Sequence, residues 1–273
     1  MNTTQNIILD FSHIYPEEIE SQVKGLRRVD LSDIEGTDMY CTKDAEEEIR
    51  RRLSAYSPHG IHFLDNGNYH YVTKLFAEKI THPFSLVLYD HHSDMQTPLF
   101  PDMTSCGNWA AELLRKDRFL KQMVLVGPEQ KSIEEIPPEF KGKLVCISME
   151  EVDKHAVNRK LSEIKMDLPV YISIDKDVLN RDGARTNWNQ GDMPLRILER
   201  LLLEVFEHQD VIGVDICGEC SPLEPLQELL KDEKINKMTN DTLYSFLSDL
   251  FRFFDENVKK NGLEKELGEV YDR

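Results

Sequence analysis

Asp90, His92 and Asp94 stand at alternate positions in the stretch Leu86-Val87-Leu88-Tyr89-Asp90-His91-His92-Ser93-Asp94. Alternate side chains of an extended segment point to one side, so two carboxylates and an imidazole share a face there. A mixed oxygen and nitrogen donor set of that kind suits a divalent metal ion. A second acidic pair, Asp175 and Asp177, repeats the spacing after Pro169-Val170-Tyr171-Ile172-Ser173-Ile174. His70 sits in an Asn/Gly turn, Asn66-Gly67-Asn68-Tyr69-His70-Tyr71, and Glu219 in Cys217-Gly218-Glu219-Cys220-Ser221-Pro222. Any one of these groups reads equally as a solvated polar loop. Their common place, just after an apolar run in each case, points to one shared centre. Packed together, these Asp and Glu carboxylates would raise one another's pKa values sharply unless cations sat among them. With no thiolate in the set, Mn²⁺ fits best, and Fe²⁺, Co²⁺ or Zn²⁺ also fit.

The elements that must position these groups read as strands alternating with helices. Asn6–Phe11, Leu26–Leu31, Gly60–Asp65, Phe84–Tyr89, Gln122–Val126, Lys143–Ile147, Leu168–Ile174 and Asp210–Ile216 are the strand candidates. Helices are expected after Pro16, from Thr42 to about Tyr56, through about Lys79, over Trp109–Lys116, over Pro194–Glu207 and from about Asp241 to Lys259. Lys231–Lys237 reads as a charged surface connection. This alternation predicts an α/β fold with three α/β/α layers and a mainly parallel sheet of about eight strands. The whole chain, 1–273, reads as a single domain. In a parallel sheet the C-terminal strand ends lie on one edge, where ligands bind, so groups distant in sequence converge.

The formal net charge is -17, from 50 acidic and 33 basic residues. Nucleic acid and anionic membrane surfaces need clustered Lys and Arg, so neither is an expected partner. The five cysteines are an odd number in a long chain, which argues against a disulfide framework. Cys217 and Cys220 form a C-x-x-C without the second pair that a zinc ribbon needs. The N-terminal Met1–Asn6 lacks the basic and apolar regions of a signal peptide, and no apolar run approaches a membrane span. A cytoplasmic protein is the expectation.

The spacing Asp90-x-His92-x-Asp94, then Ser173-x-Asp175-x-Asp177, with His70 upstream, resembles the arginase/agmatinase (ureohydrolase) family. The matching motifs run from Asn66 to Pro222. The resemblance implies an arginase-like fold and two Mn²⁺ per chain. By it, His70, Asp90, Asp94 and Asp175 hold one ion, and Asp90, His92, Asp175 and Asp177 the other, with Asp90 and Asp175 bridging. Glu219-Cys220-Ser221-Pro222 looks like the family's E-x-N-P segment, whose Glu binds the guanidinium group. The implied activity is hydrolysis of a linear amidine C–N bond in a small guanidino compound, releasing urea or a related product. Metal-activated water attacks, and Asp94 passes the proton to the departing amine. Gln96, Ser105 and Asp153 lie where arginases hold the α-amino and carboxylate groups. A homo-oligomer, trimer or hexamer, is also implied.

The chain departs from that pattern in several places. Tyr69 stands where the family's turn has an Asp before the ligand histidine. Trp109-Ala110-Ala111 follows Gly107-Asn108, where arginases carry a proton-shuttling histidine. Trp109 and Trp188 suit either a pocket mouth or ordinary packing. His91 alternates with the ligand positions and is expected to point away. Two further readings stay open: a mononuclear, deacetylase-like amide hydrolase, and a non-catalytic metal-binding protein of the same fold. Retention of His70, Asp94 and Asp177 favours two ions over one.

Overall fold

Val170–Asp175 (VYISID), strand β9, is rich in β-branched and aromatic residues and is buried at every position. A strand buried on both faces must pack two layers, and it sits among seven further strands, the central ones of the same character. The seven are β1 (Asn6–Asp10), β2 (Leu26–Asp30), β4 (Ile61–Phe63), β5 (Phe84–Tyr89), β7 (Leu120–Val126), β8 (Leu144–Ile147) and β10 (Val211–Cys217). Together these eight strands form one sheet in the order β2-β1-β4-β10-β9-β5-β7-β8. Every pairing in it is parallel. Two short strands, β3 (Tyr40–Cys41) and β6 (Thr104–Ser105), pair antiparallel outside it. The computed structural model describes residues 5–16, 25–100, 103–153 and 160–271, the side chains of 153 and 257–271 excepted. The helix expected after Pro16 lies outside the described residues.

Alternation along the strands feeds two cores, one on each face. Phe84, Leu86 and Leu88 of β5 and Tyr171 of β9 join one core, with Ile49, Phe76 and Leu113. Those partners come from helices α1 (Lys43–Arg52), α2 (Val72–Ala77) and α3 (Trp109–Lys116). Val87 and Tyr89 of β5 and Val170, Ile172 and Ile174 of β9 join the other, with Leu198, Leu202, Leu243 and Leu247. The short helices α4 (Gln130–Glu134) and α5 (Met149–Asp153) connect the strands at the β8 edge. Helices α6 (Leu195–His208) and α7 (Leu226–Tyr271) cover the second core. The three-layer expectation holds, with all eight strand candidates in the sheet. Lys231–Lys237 is corrected: it lies inside α7, which begins at Leu226 and not near Asp241. No helix among the described residues is long and apolar enough to cross a membrane.

The strand order reverses direction within the sheet. From β1 the chain builds outward to β4, then leaves two places vacant and starts again at β5; β9 and β10 later fill the gap. Such a switch point opens a crevice at the C-terminal strand ends. The loops after β4, β5, β9 and β10 meet there, and they carry His70, the Asp90–Asp94 stretch, Asp175–Asp177 and Glu219.

Candidate metal centre

Asp90 follows β5 directly, and its backbone N–H donates to Val126 O at 3.1 Å, which extends the strand pairing by one residue. Its Oδ1 then accepts from the His92 backbone N–H at 2.6 Å, turning the chain so that both side chains face the crevice. Asp94 adopts a left-handed backbone, φ 51°. That conformation is uncommon for a residue with a Cβ, though Asp tolerates it better than most. Asp175 ends β9 and caps the short 3₁₀ turn Lys176–Val178, its Oδ1 accepting from the Asp177 N–H at 2.9 Å. His70 closes the 3₁₀ turn Gly67–Tyr69, which Asn66 caps through the Asn68 N–H at 3.0 Å.

These turns bring the sequence-predicted ligands together. His70 Nδ1 lies 3.0 Å from Asp94 Oδ2, 3.3 Å from Asp175 Oδ2 and 3.4 Å from Asp90 Oδ2. His92 Nδ1 lies 2.8 Å from Asp177 Oδ2 and 3.6 Å from Asp90 Oδ1. The donors form two groups close enough to hold an ion each, His70/Asp90/Asp175 and Asp90/His92/Asp177; Asp94 joins neither group, and Asp175 joins only the first. Asp90 belongs to both, one oxygen toward each. Asp90, Asp94, Asp175, Asp177 and His70 are buried, and His92 is partly so.

The electrostatics fit cations. Asp175 is pushed up to about 8, by burial first, then by Asp177 and Asp90, against the pull of His70. Burial and Asp90 likewise raise Asp177. Burial opposes a charged His92, yet its hydrogen bonds to Asp177 and Asp90 outweigh that and lift the ring to about 12. His70 is raised well above its ordinary value in the same way, with Asp90 and Asp94 overcoming burial. Protons thus stand between carboxylates that crowd one another. Asp90 Oδ2 is buried with no hydrogen-bond partner. A buried carboxylate oxygen without a donor is costly unless a cation meets it. The donor set, oxygen-rich with two imidazoles, suits Mn²⁺ and its neighbours among the divalent ions.

The surrounding groups orient these donors. His70 Nε2 and Ser173 Oγ are 2.9 Å apart, and Ser173 Oγ is 3.1 Å from Thr73 Oγ1. Fixing one ring nitrogen in this way leaves Nδ1 for the acidic side. The Trp109 indole N–H donates to Asp94 Oδ2 at 2.5 Å, and its ring leans on His70 with centroids 4.9 Å apart. Trp109 is fully buried, so it belongs to the floor of the site and not its mouth. Trp188 takes the mouth, exposed and edge-on to His92 at 6.1 Å. The His91 backbone N–H donates to Asp177 Oδ1 at 3.0 Å, and its ring joins neither donor group.

A cavity of about 90 Å³ opens over the donors. Gln96 and Ser105 line it, as do Met39, Tyr40 and Trp188. The Asp153 side chain lies outside the described residues. Glu219 is a correction. It does not line this cavity; it faces a second one of about 250 Å³, with Tyr15, Lys234 and Asn240. Its Oε1 accepts from Lys176 Nζ at 2.5 Å and from Asn240 Nδ2 at 2.7 Å. The neighbouring Gly218, φ 94°, is the position that faces the donors: a Cβ there would sit 2.5 Å from Asp175 Oδ1. The left-handed backbone at Gly218 turns the chain there, and the next side chain, Glu219, lines the second cavity. Sequence reasoning also missed Lys176, whose charge between two acids gave no sign that it is buried.

Comparison with known proteins agrees with this architecture. The arginase-family profile matches residues 8–228. An uncharacterized protein of Thermotoga maritima is 32% identical over 248 residues, 89% of this chain and 88% of that protein. The formimidoylglutamase of Bacillus subtilis superposes with a TM-score of 0.64 at 15% identity, over 92% of this chain and 88% of that one. The formiminoglutamase of Trypanosoma cruzi, determined with Mn²⁺, superposes with a TM-score of 0.61 at 13% identity, over 89% and 92%. The structural likenesses show a shared fold, the profile covers most of the chain, and on that match this protein belongs to the arginase family.

Proposed function

We propose that this chain is a metal-dependent hydrolase that breaks a linear C–N bond in a small molecule, with two divalent ions, Mn²⁺ first among them. The observation that carries it is the pair of donor groups sharing Asp90, one with His70 and Asp175, the other with His92 and Asp177. Mn²⁺ in the Trypanosoma cruzi structure supports the choice of ion. Ions held there supply Lewis-acid activation of water and of the substrate's polar bond. The chain does the rest. Ser173 and Trp109 keep His70 and Asp94 in place. Asp94 lines the cavity, where a carboxylate can take a proton from the attacking water and return it to the leaving nitrogen. Gln96 and Ser105 offer neutral hydrogen bonds to the substrate. Guanidino compounds, releasing urea or a related product, are the substrate class that family membership suggests first. The same reading includes a cytoplasmic homo-oligomer, trimer or hexamer, which light scattering on the purified protein tests.

Elemental analysis after incubation with Mn²⁺ and removal of free ion should give about two ions per chain. The loaded protein should then release amine from some member of a panel of guanidino, amidino and amide compounds. One ion per chain would replace the two-metal centre with a mononuclear one, and no release from any member would remove the hydrolase.

A further inference from the structure

Lys176 stands between two metal-site aspartates in sequence, yet its side chain is fully buried on the opposite side. Its Nζ donates to Glu219 Oε1 at 2.5 Å and to Asn240 Oδ1 at 2.8 Å. Asn240 Nδ2 donates to the same Glu219 oxygen at 2.7 Å. Pulling one partner out of a buried ion pair is costly. The carboxylate that the sequence suggested for a substrate cation therefore already holds a cation belonging to the chain. It also lines the second cavity and not the one over the donors.

The cavity over the donors offers nothing in its place. Among the described lining residues, the only carboxylates are Asp175 and Asp177, which belong to the donor groups, and Asp94 beside them. Asp175 and Asp177 belong to the donor groups with Asp90, and Asp94 Oδ2 is already held by the Trp109 indole N–H at 2.5 Å and lies 3.0 Å from His70 Nδ1, so no carboxylate stands opposite the donors to receive a substrate cation. The remaining lining is neutral: Gln96 and Ser105 carry hydrogen-bonding groups, and Met39, Tyr40 and Trp188 present apolar surface. Asp38 lies outside the lining, exposed, with its Oδ1 taken by the Asn68 amide at 2.7 Å. A guanidinium stays protonated far above neutral pH. Entering this cavity, it would lose water beside the ions without gaining a carboxylate, and an unpaired charge bears a large desolvation cost. An uncharged planar group meets no such cost. Its oxygen is an acceptor beside cations, its N–H can reach Gln96 or Ser105, and its flat face suits Tyr40 and Trp188.

Resting on the hydrolase reading above, we propose that the substrate is an uncharged carbonyl compound, an amide or ureido C–N bond, and not a guanidinium cation. In the reaction the water oxygen bonds to the carbonyl carbon. The C–N bond breaks with its electron pair going to nitrogen, and nitrogen takes the proton. An amine leaves, and a carboxylate or carbamate remains.

The test uses the full chain loaded with Mn²⁺ and one matched series, N-butylformamide, N-butylurea and N-butylguanidinium. Binding is read from quenching of Trp188 fluorescence, with Trp188→Phe as the control that removes the signal, and turnover from butylamine release. The neutral ligands should bind at least tenfold more tightly than the guanidinium, and kcat/KM should follow the same order. Equal binding, tighter guanidinium binding or no binding by the neutral pair overturns the proposal. Tight neutral binding with no amine release from any of the three would keep the charge preference and reject the hydrolase reading, so the two failures are distinct.

Discussion

The Trp109 indole shows how one residue sets the geometry of this site. Asp94 has an uncommon left-handed backbone, φ 51°, and its carboxylate would swing freely into the cavity if nothing held it. The 2.5 Å bond from the buried indole N–H removes that freedom. Partners behind a metal ligand typically change ion affinity 10- to 100-fold when lost. Trp109→Phe keeps most of the packing against His70 and deletes only the donor. We expect Mn²⁺ affinity on the His70 side to fall about tenfold in a calorimetric titration, with secondary structure retained. Unchanged affinity would mean that the bond does not orient Asp94. The sequence announced the ligands themselves, since alternate Asp and His after an apolar run admit few other arrangements. It did not announce Trp109's partner, because nothing local links an indole in α3 to a loop fifteen residues earlier. It misplaced Glu219 for a related reason: the four residues resemble the motif, but the carboxylate is taken by Lys176 and Asn240, distant partners that a short motif does not encode.

At the level of elements, the strands were legible and the last helix was not. The central strands of the large sheet are short runs of Val, Ile, Leu and aromatics buried on both faces, which is a strong signal, whereas the edge strand β2 (LRRVD) is half polar and exposed. Strands β3 and β6 have two residues each, too few for any alternation to appear. In α7 the apolar period starts only at Leu243, Leu247 and Leu250. Before that its inward face is polar: Asn236, Thr239 and Asn240 are buried. Asn236 exchanges hydrogen bonds with the Arg185 backbone at 2.7 and 2.8 Å, and Asn240 holds Glu219. A helix that buries amides has no hydrophobic stripe to read. Close approach of backbone to strand is equally silent in composition. A Cβ added at Gly213 of β10 would run into Pro58 O and come 3.1 Å from Tyr171 Cε2, at a register shift between Val211 and Gly213. A methyl group there has no space. Gly213→Ala should destabilise the fold by about 1–3 kcal/mol, the usual cost of overpacking, read by denaturant unfolding. Mn²⁺ stoichiometry of the folded fraction should not change, because the donors lie at the other end of β10. A variant as stable as the parent would show that the Pro58 segment gives way.

For the molecule as a whole, the centre joins loops that no local contact would otherwise hold together. Its donors follow β4, β5 and β9, strands the chain forms at widely separated points and brings together only at the switch in the sheet. Without cations the loops carry a buried cluster of carboxylates at raised pKa values, which opposes the folded state as protons leave. With cations the same cluster becomes a clasp, because an ion that binds only the folded chain stabilises it by mass action. At 100 times the dissociation constant each ion contributes about 2.7 kcal/mol, so two independent ions contribute roughly 5 kcal/mol. For a chain of this size that raises Tm by about 10–20 °C. Calorimetry with Mn²⁺ and with a chelator measures the difference directly. The arrangement of donors also ranks the variants. His70→Ala removes a ligand from one group only and should keep about half of the Mn²⁺-dependent rise. Asp90→Asn touches both groups and should lose nearly all of it. In a centre that held a single ion on the His92 side, His70→Ala would retain the full rise. An equal loss in both variants would mean that the two groups bind as one cooperative unit, with the ions unable to enter separately.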